Sequence, residues 1–163
     1  MATLLERFDK KTPNYPTIYR QNILDRFSRV GGGPTEKTFS QGKFFDNYYE
    51  CFIYAAMLGM QNNYRLPLDR AKDGTKFIEI EYWKPRQLTL YIFMSLLAVS
   101  DIDLIALEEM DENQIDDKAF DLMKLLEEYA HGGFDLINSK IKDNPQFFDT
   151  PFSALNFLRP KMV

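Results

Sequence analysis

FFDNYYECFIYAAMLGMQNNYRLPL, residues 44–68, decides the fold: aromatic and apolar side chains crowd an almost uncharged stretch at helical spacing, which ends on Gly59 and runs into a polar turn. A helix apolar on so many sides belongs in a core or at an interface. Cys51, set among apolar neighbours, reads as a small buried hydrophobe rather than a nucleophile.

Working outward toward the N-terminus, Ala2 to Lys10 predicts a short helix stopped at Thr12-Pro13. Pro16 opens a second, with Tyr19, Ile23, Leu24 and Phe27 on one stripe. Gly31-Gly32-Gly33-Pro34 then breaks the chain. A phosphate-cradling loop needs a strand before it and a Lys-Ser/Thr opening a helix after it. Here a helix precedes and PTEKTF comes next, so the segment reads as a linker. The expected organisation is an N-terminal helical arm (1–30), a glycine-containing linker (31–43) and a helical body (44–163) with a Phe-rich C-terminal tail.

On the other side, residues 61–74 form a polar connection, and Lys76 to Trp83 (KFIEIEYW) alternates. Phe77, Glu79, Glu81 and Trp83 point one way and Ile78, Ile80 and Tyr82 the other, the period of a strand. Its partner is expected near Arg65 or Phe39, or in another chain. Pro85 opens a helix with Leu88, Tyr91, Ile92, Leu96 and Val99 at three- and four-residue spacing, the expected central core helix. Asp101 or Asp103 is placed to cap the next element. From Asp116, the positions Ala119, Phe120, Leu122, Met123, Leu126, Tyr129 and Ala130 predict a long amphipathic helix ending at His131-Gly132-Gly133, then a final helix, Phe134 to Lys142. Phe147, Phe148, Phe152 and Phe157 are too many to leave in water and should pack on the body or a partner. The fold class is mainly α, a compact helical domain with a minor β-strand or hairpin element.

Charge is informative in its distribution. The net charge is −4, yet Asp101 to Glu128 holds 11 carboxylates opposed only by Lys118 and Lys124. Such a surface repels a phosphate backbone and reads as a solvated helical face, or else as a dock for a basic partner. Basic and aromatic residues cluster instead earlier in the chain. Tyr19, Arg20, Arg26 and Arg29, with Lys84 and Arg86, are the candidate nucleic-acid contacts, without the pattern of a known DNA- or RNA-reading module.

Chemistry-bearing groups are scarce. One histidine, His131, and one cysteine satisfy no zinc spacing and no thiol–base pair, and no serine sits in a nucleophile elbow, so no catalytic residue, cofactor or metal site is assigned. His131 is expected to cap a helix end. An enzyme would have to work through Glu79, Glu81, Glu127 and Glu128 with an oxygen-ligated metal ion. The longest apolar run, 88–99, falls short of the roughly 20 residues of a bilayer span, and the start of the chain lacks a secretory pattern. A single cysteine fits a reducing cytoplasm.

Two blocks, Tyr49 to Gly59 with Arg65-Leu66-Pro67-Leu68, and Glu127 to Phe134 (EEYAHGGF), resemble small accessory proteins associated with DNA phosphorothioation (Dnd) gene clusters of prokaryotes. The resemblance implies a helical, non-catalytic component of a bacterial modification or phage-defence system and carries over no catalytic residue. On physical grounds alone, Gly59 ends its helix, and Gly132 and Gly133 do the same for theirs or let two helices approach closely. Arg65 is expected to pair with Glu127 or Glu128 and lock the two blocks together. The reading is therefore a non-enzymatic accessory or adaptor subunit, cytoplasmic, with protein partners and a homo-oligomer also open. The alternative is a direct DNA-binding protein acting through the clusters in residues 15–86.

Overall fold

The structure, a computed structural model, describes residues 2–29 and 43–159. It is mainly helical with one small antiparallel sheet. The chain forms two packing units: residues up to Asn14 with Lys76–Glu127, and Tyr15–Thr75 with Glu128 onward. The expected arm thus contributes to both units, while residues 31–42 of the expected linker lie outside the described residues.

The first unit opens with α1 (Leu4–Asp9), fixed by a capping box. Glu6 donates its backbone N–H to Thr3 Oγ1 at 3.2 Å, and Thr3 donates its own to Glu6 Oε2 at 2.7 Å. Phe8 of α1 is fully buried and meets Phe93 of α5 (Arg86–Val99) with ring centroids 5.3 Å apart. The first half of α6 (Glu112–Asp143) supplies Ile115, Ala119, Leu122, Met123 and Leu126 to the same core. Asp111 and Gln114 cap that helix reciprocally, both at 2.9 Å. Around the rim, Arg86 grips Asp9 with two bonds of 2.7 Å, Lys10 meets Glu81 at 2.8 Å and Lys11 meets Asp116 at 2.9 Å.

Three expectations are corrected. The segment 76–83 is not a strand: β2 covers only Gly74–Lys76, and a 3-10 turn occupies Ile80–Tyr82. A period of three competes with the period of two there. Phe77, Ile80 and Trp83 share one side, with Ile80 and Trp83 buried and the Phe77 and Trp83 rings stacked 5.7 Å apart. The partner of β2 is β1 (Asn14–Pro16), not a segment near Arg65 or Phe39. Nor is α5 the central core helix. It buries only Thr89, Ile92 and Leu96 and leaves Tyr91 and Val99 exposed.

In the second unit, the composite helical run Thr17–Phe27, a 3-10 turn, a π turn and the short α2 (Asp25–Phe27), buries the predicted stripe Tyr19, Ile23, Leu24 and Phe27. α3 (Tyr48–Gln61) starts at Asn47, whose side chain accepts from Glu50 N at 3.2 Å, and buries Cys51, Phe52, Ile53, Ala55, Ala56, Leu58 and Gly59. It does not end on Gly59. It continues to Gln61, and Asn63 takes the left-handed position at φ 47°. A four-residue α4 (Arg70–Asp73) precedes β2. Likewise α6 passes through His131-Gly132-Gly133 without a break, so the expected final helix is its continuation. Paired glycines lower helix propensity, and here the close packing that they permit offsets that cost. The tail forms α7 (Pro151–Leu158). Phe147, Phe148 and Phe157 meet edge to face within 5.6 Å, with Phe148 buried, whereas Phe152 stays 73% exposed.

Candidate functional site

Apart from Glu127, the two blocks singled out in the sequence meet within the second unit, and backbone brings them together. Gly133 faces α3 so closely that a Cβ there would lie 1.7 Å from the Ala55 carbonyl oxygen. A Cβ on Gly132 would lie 2.2 Å from the Tyr64 oxygen, and one on Gly59 2.0 Å from the Tyr129 oxygen. Three glycines therefore let α3, its exit turn and α6 touch main chain to main chain. For Gly132 and Gly133 this is the close-approach alternative, and for Gly59 it corrects the expected helix end.

Polar bonds fix the register of that contact. Leu66 donates its N–H to the Glu128 carbonyl at 3.1 Å, closing the turn after α3 onto α6. Tyr64 donates its hydroxyl to Asp135 at 2.7 Å, and the carboxylate holds the phenol's pKa above its ordinary value. His131 lies mid-helix rather than at a helix end. Its Nδ1 is 3.0 Å from the Pro67 carbonyl, so Nδ1 carries the hydrogen and donates it. Tyr19 closes the group from the other side, stacked on Phe134 at 5.6 Å and edge-on to His131 at 6.1 Å. Burial, with Asp135 nearby, raises its pKa as well.

Arg65 and the two glutamates take different places from those expected. The Arg65 guanidinium sits 6.0 Å from the centroid of the Tyr129 ring, and the ion pairs among the described residues do not include it. Glu127 is buried in the first unit, where Oε2 accepts from Asn14 N at 2.5 Å. Glu128 contributes its carbonyl to the lock rather than its carboxylate. Tyr64 and Asp135 are the bonded pair at this contact that sequence reading missed. Their positions, five residues past Gly59 and two past Gly133, were the signal that could have found them.

The six candidate nucleic-acid contacts fall in two units, Tyr19, Arg20, Arg26 and Arg29 in one and Lys84 and Arg86 in the other. Tyr19 and Arg29 are buried, the latter ion-paired with Asp46. Arg26 donates to the Pro145 carbonyl at 3.1 Å, lies 3.7 Å from Asp149 and covers the Phe27 ring, and Arg86 is clamped on Asp9. Arg20 and Lys84 are exposed. Cys51 is fully buried, and desolvation drives its thiol pKa far up, which disfavours the thiolate. Among the described residues, no group of three or more His, Cys, Asp or Glu side chains is placed to hold a metal ion, and no helix is long and apolar enough to cross a membrane.

Residues 35–159 match the family model of DNA sulphur modification system-associated protein 4, which takes in both blocks and all of α3 through α7, and the chain belongs to that family. No curated protein and no solved structure matches the chain.

Proposed function

We propose that this member of the DNA sulphur modification system-associated protein 4 family is a non-enzymatic accessory or adaptor subunit of the modification machinery, cytoplasmic, working through protein partners and serving DNA modification or phage defence. The observation that carries the reading is how its chemistry-bearing side chains are used. His131 holds the Pro67 carbonyl, Glu127 holds the Asn14 amide, Tyr64 holds Asp135, and Cys51 and Tyr19 are packed in the core. Each supports architecture within the region that the family shares, or next to it. Family membership supplies the setting, a system of several components in which a small helical protein of this kind has proteins to bind.

The test is affinity capture of the tagged chain from its source cells, with and without nuclease, followed by identification of the molecules retained. Protein partners that survive nuclease are expected. Partners lost with nuclease, or DNA recovered alone, would favour the direct DNA-binding alternative. Turnover of a nucleotide or DNA substrate by the pure chain would overturn the non-enzymatic assignment.

A further inference from the structure

We infer that the outer face of α5, continued by residues 101–111, is a docking surface for a basic amphipathic helix of a partner protein, an assignment that rests on the accessory-subunit reading. Apart from Arg86, which is held by Asp9, the exposed positions of α5 fall on one face at helical spacing: Gln87, Tyr91, Met94, Ser95, Ala98 and Val99. None carries a charge, and Tyr91 and Met94 are 68% and 65% exposed. The apolar surface goes on past the helix end in Leu104 and Ile105, the latter 83% exposed. A run of large apolar side chains in water on an otherwise charged unit marks an interaction surface.

Charge decides the occupant. From Gln87 to Asp117 the sequence has no Lys or Arg and 8 Asp or Glu. Glu112 and Asp116 face Arg7 and Lys11. The other six, Asp101, Asp103, Glu108, Glu109, Asp111 and Asp117, enter no ion pair among the described residues. The C-terminal end of α5, with no basic residue in its last turn, adds the negative pole of its dipole beside Asp101 and Asp103. A nucleic acid is repelled here, and a second copy in a two-fold contact would set these carboxylates against their own kind. A partner helix with an apolar stripe and Lys or Arg toward one end satisfies both halves of the surface, packing along the roughly 21 Å of α5 ridge into groove.

The probe is a synthetic helical peptide of roughly 18 residues with Leu at i, i+3, i+4 and i+7 and Lys elsewhere, read by fluorescence anisotropy against the full chain. Two controls replace its Lys by Glu or its Leu by Ser. The Leu/Lys peptide is expected to bind with an affinity that falls as salt rises. The affinity should weaken at least about tenfold both in Tyr91→Ser/Met94→Ser and in Asp101→Asn/Asp103→Asn/Glu108→Gln/Glu109→Gln. Ile18→Ser, at a position 71% exposed in the other unit, should leave it unchanged. Equal binding of all three peptides, unchanged affinity in either multiple variant, or self-association abolished by Met94→Ser would overturn the assignment. Affinity capture with Tyr91→Ser/Met94→Ser separates the two proposals. Partners retained undiminished by this variant would sink the surface and leave the accessory reading standing, whereas a wild-type chain that retains none would sink the reading itself.

Discussion

Replacing Gly133 by alanine sets two effects of opposite sign against each other. In mid-helix, alanine is favoured over glycine by about 1 kcal/mol, so propensity alone makes Gly133→Ala stabilising. Packing argues the other way. The new Cβ would sit 1.7 Å from the Ala55 oxygen and 2.4 Å from its carbonyl carbon, where contacts under 3.0 Å force something to move. Neither neighbour is a side chain that can rotate aside, so α3 and α6 must part by about 1 Å, a gap that forfeits a quarter to a half of each contact across the interface. Overpacking costs about 1–3 kcal/mol where rotamers can adjust, and more where backbone meets backbone. With a backbone-against-backbone cost of about 4 kcal/mol, the net loss after the propensity gain of about 1 kcal/mol is about 3 kcal/mol, which for a chain of this length lowers Tm by roughly 6–12 °C. Urea titration and thermal melting, both followed by far-ultraviolet circular dichroism, measure it. A Gly133→Ala protein as stable as wild type, or more so, would mean that the two helices are not in main-chain contact. Gly59→Ala, whose Cβ would approach the Tyr129 oxygen to 2.0 Å, should act in the same direction. The double variant should fall short of the sum, since one separation relieves both clashes.

Three further outcomes are expected. Tyr64→Phe removes the bond to Asp135 and should cost about 1 kcal/mol at neutral pH. Because the phenol's pKa is raised in the folded chain, this contribution is present below the ordinary tyrosine range and fades as pH climbs through the folded value, so wild type and variant should converge in alkaline urea titrations. Asp116 has its pKa lowered from 3.8 by the Lys11 ammonium and then by Arg7, so its contribution is present above that value and lost as pH falls below it. Asp116→Asn should flatten the fall of the urea midpoint under acid conditions, and a wild-type acid limb unchanged by the substitution would refute the pairing. Cys51 should react with a disulfide reagent only as fast as the second unit opens. A native rate matching that of a free thiol would contradict its burial.

The helical class and most of the core stripes were legible in the sequence. Tyr19, Ile23, Leu24 and Phe27 are buried as their spacing requires, because an apolar stripe of period 3.6 has one way to leave water. The failures share a cause. Gly59 and Gly132-Gly133 carry the same local signal whether they end a helix or admit a neighbour, and only the tertiary partner, unseen in one sequence, decides. KFIEIEYW satisfies periods of two and three at once, and the buried pair Ile80 and Trp83 chose between them. The proximity of the two family blocks could be anticipated, but their bonding atoms could not. Arg65 and two glutamates offered an ion pair to the eye, whereas the register is fixed by carbonyls and amides that every residue possesses. The exposed face of α5 escaped for the same reason, since burial and exposure of an uncharged apolar helix look alike before packing is known.

The way the two packing units share the chain bears on how this protein must be made. Neither unit is contiguous: one needs Lys76–Glu127 to complete the core that its first 14 residues begin, and the other needs Glu128 onward to cover α3. At synthesis rates of about 5–20 residues per second, roughly 4–15 s separate the emergence of Gly59 from that of Gly133. Throughout that interval the nascent chain trails one of its most apolar helices beyond the ribosome with the Thr17–Phe27 run beside it but without α6 to cover it. Holding chaperones should therefore engage α3 during translation. Slowing codons downstream of residue 75 should lower the yield of soluble product more than the same codons placed after residue 143.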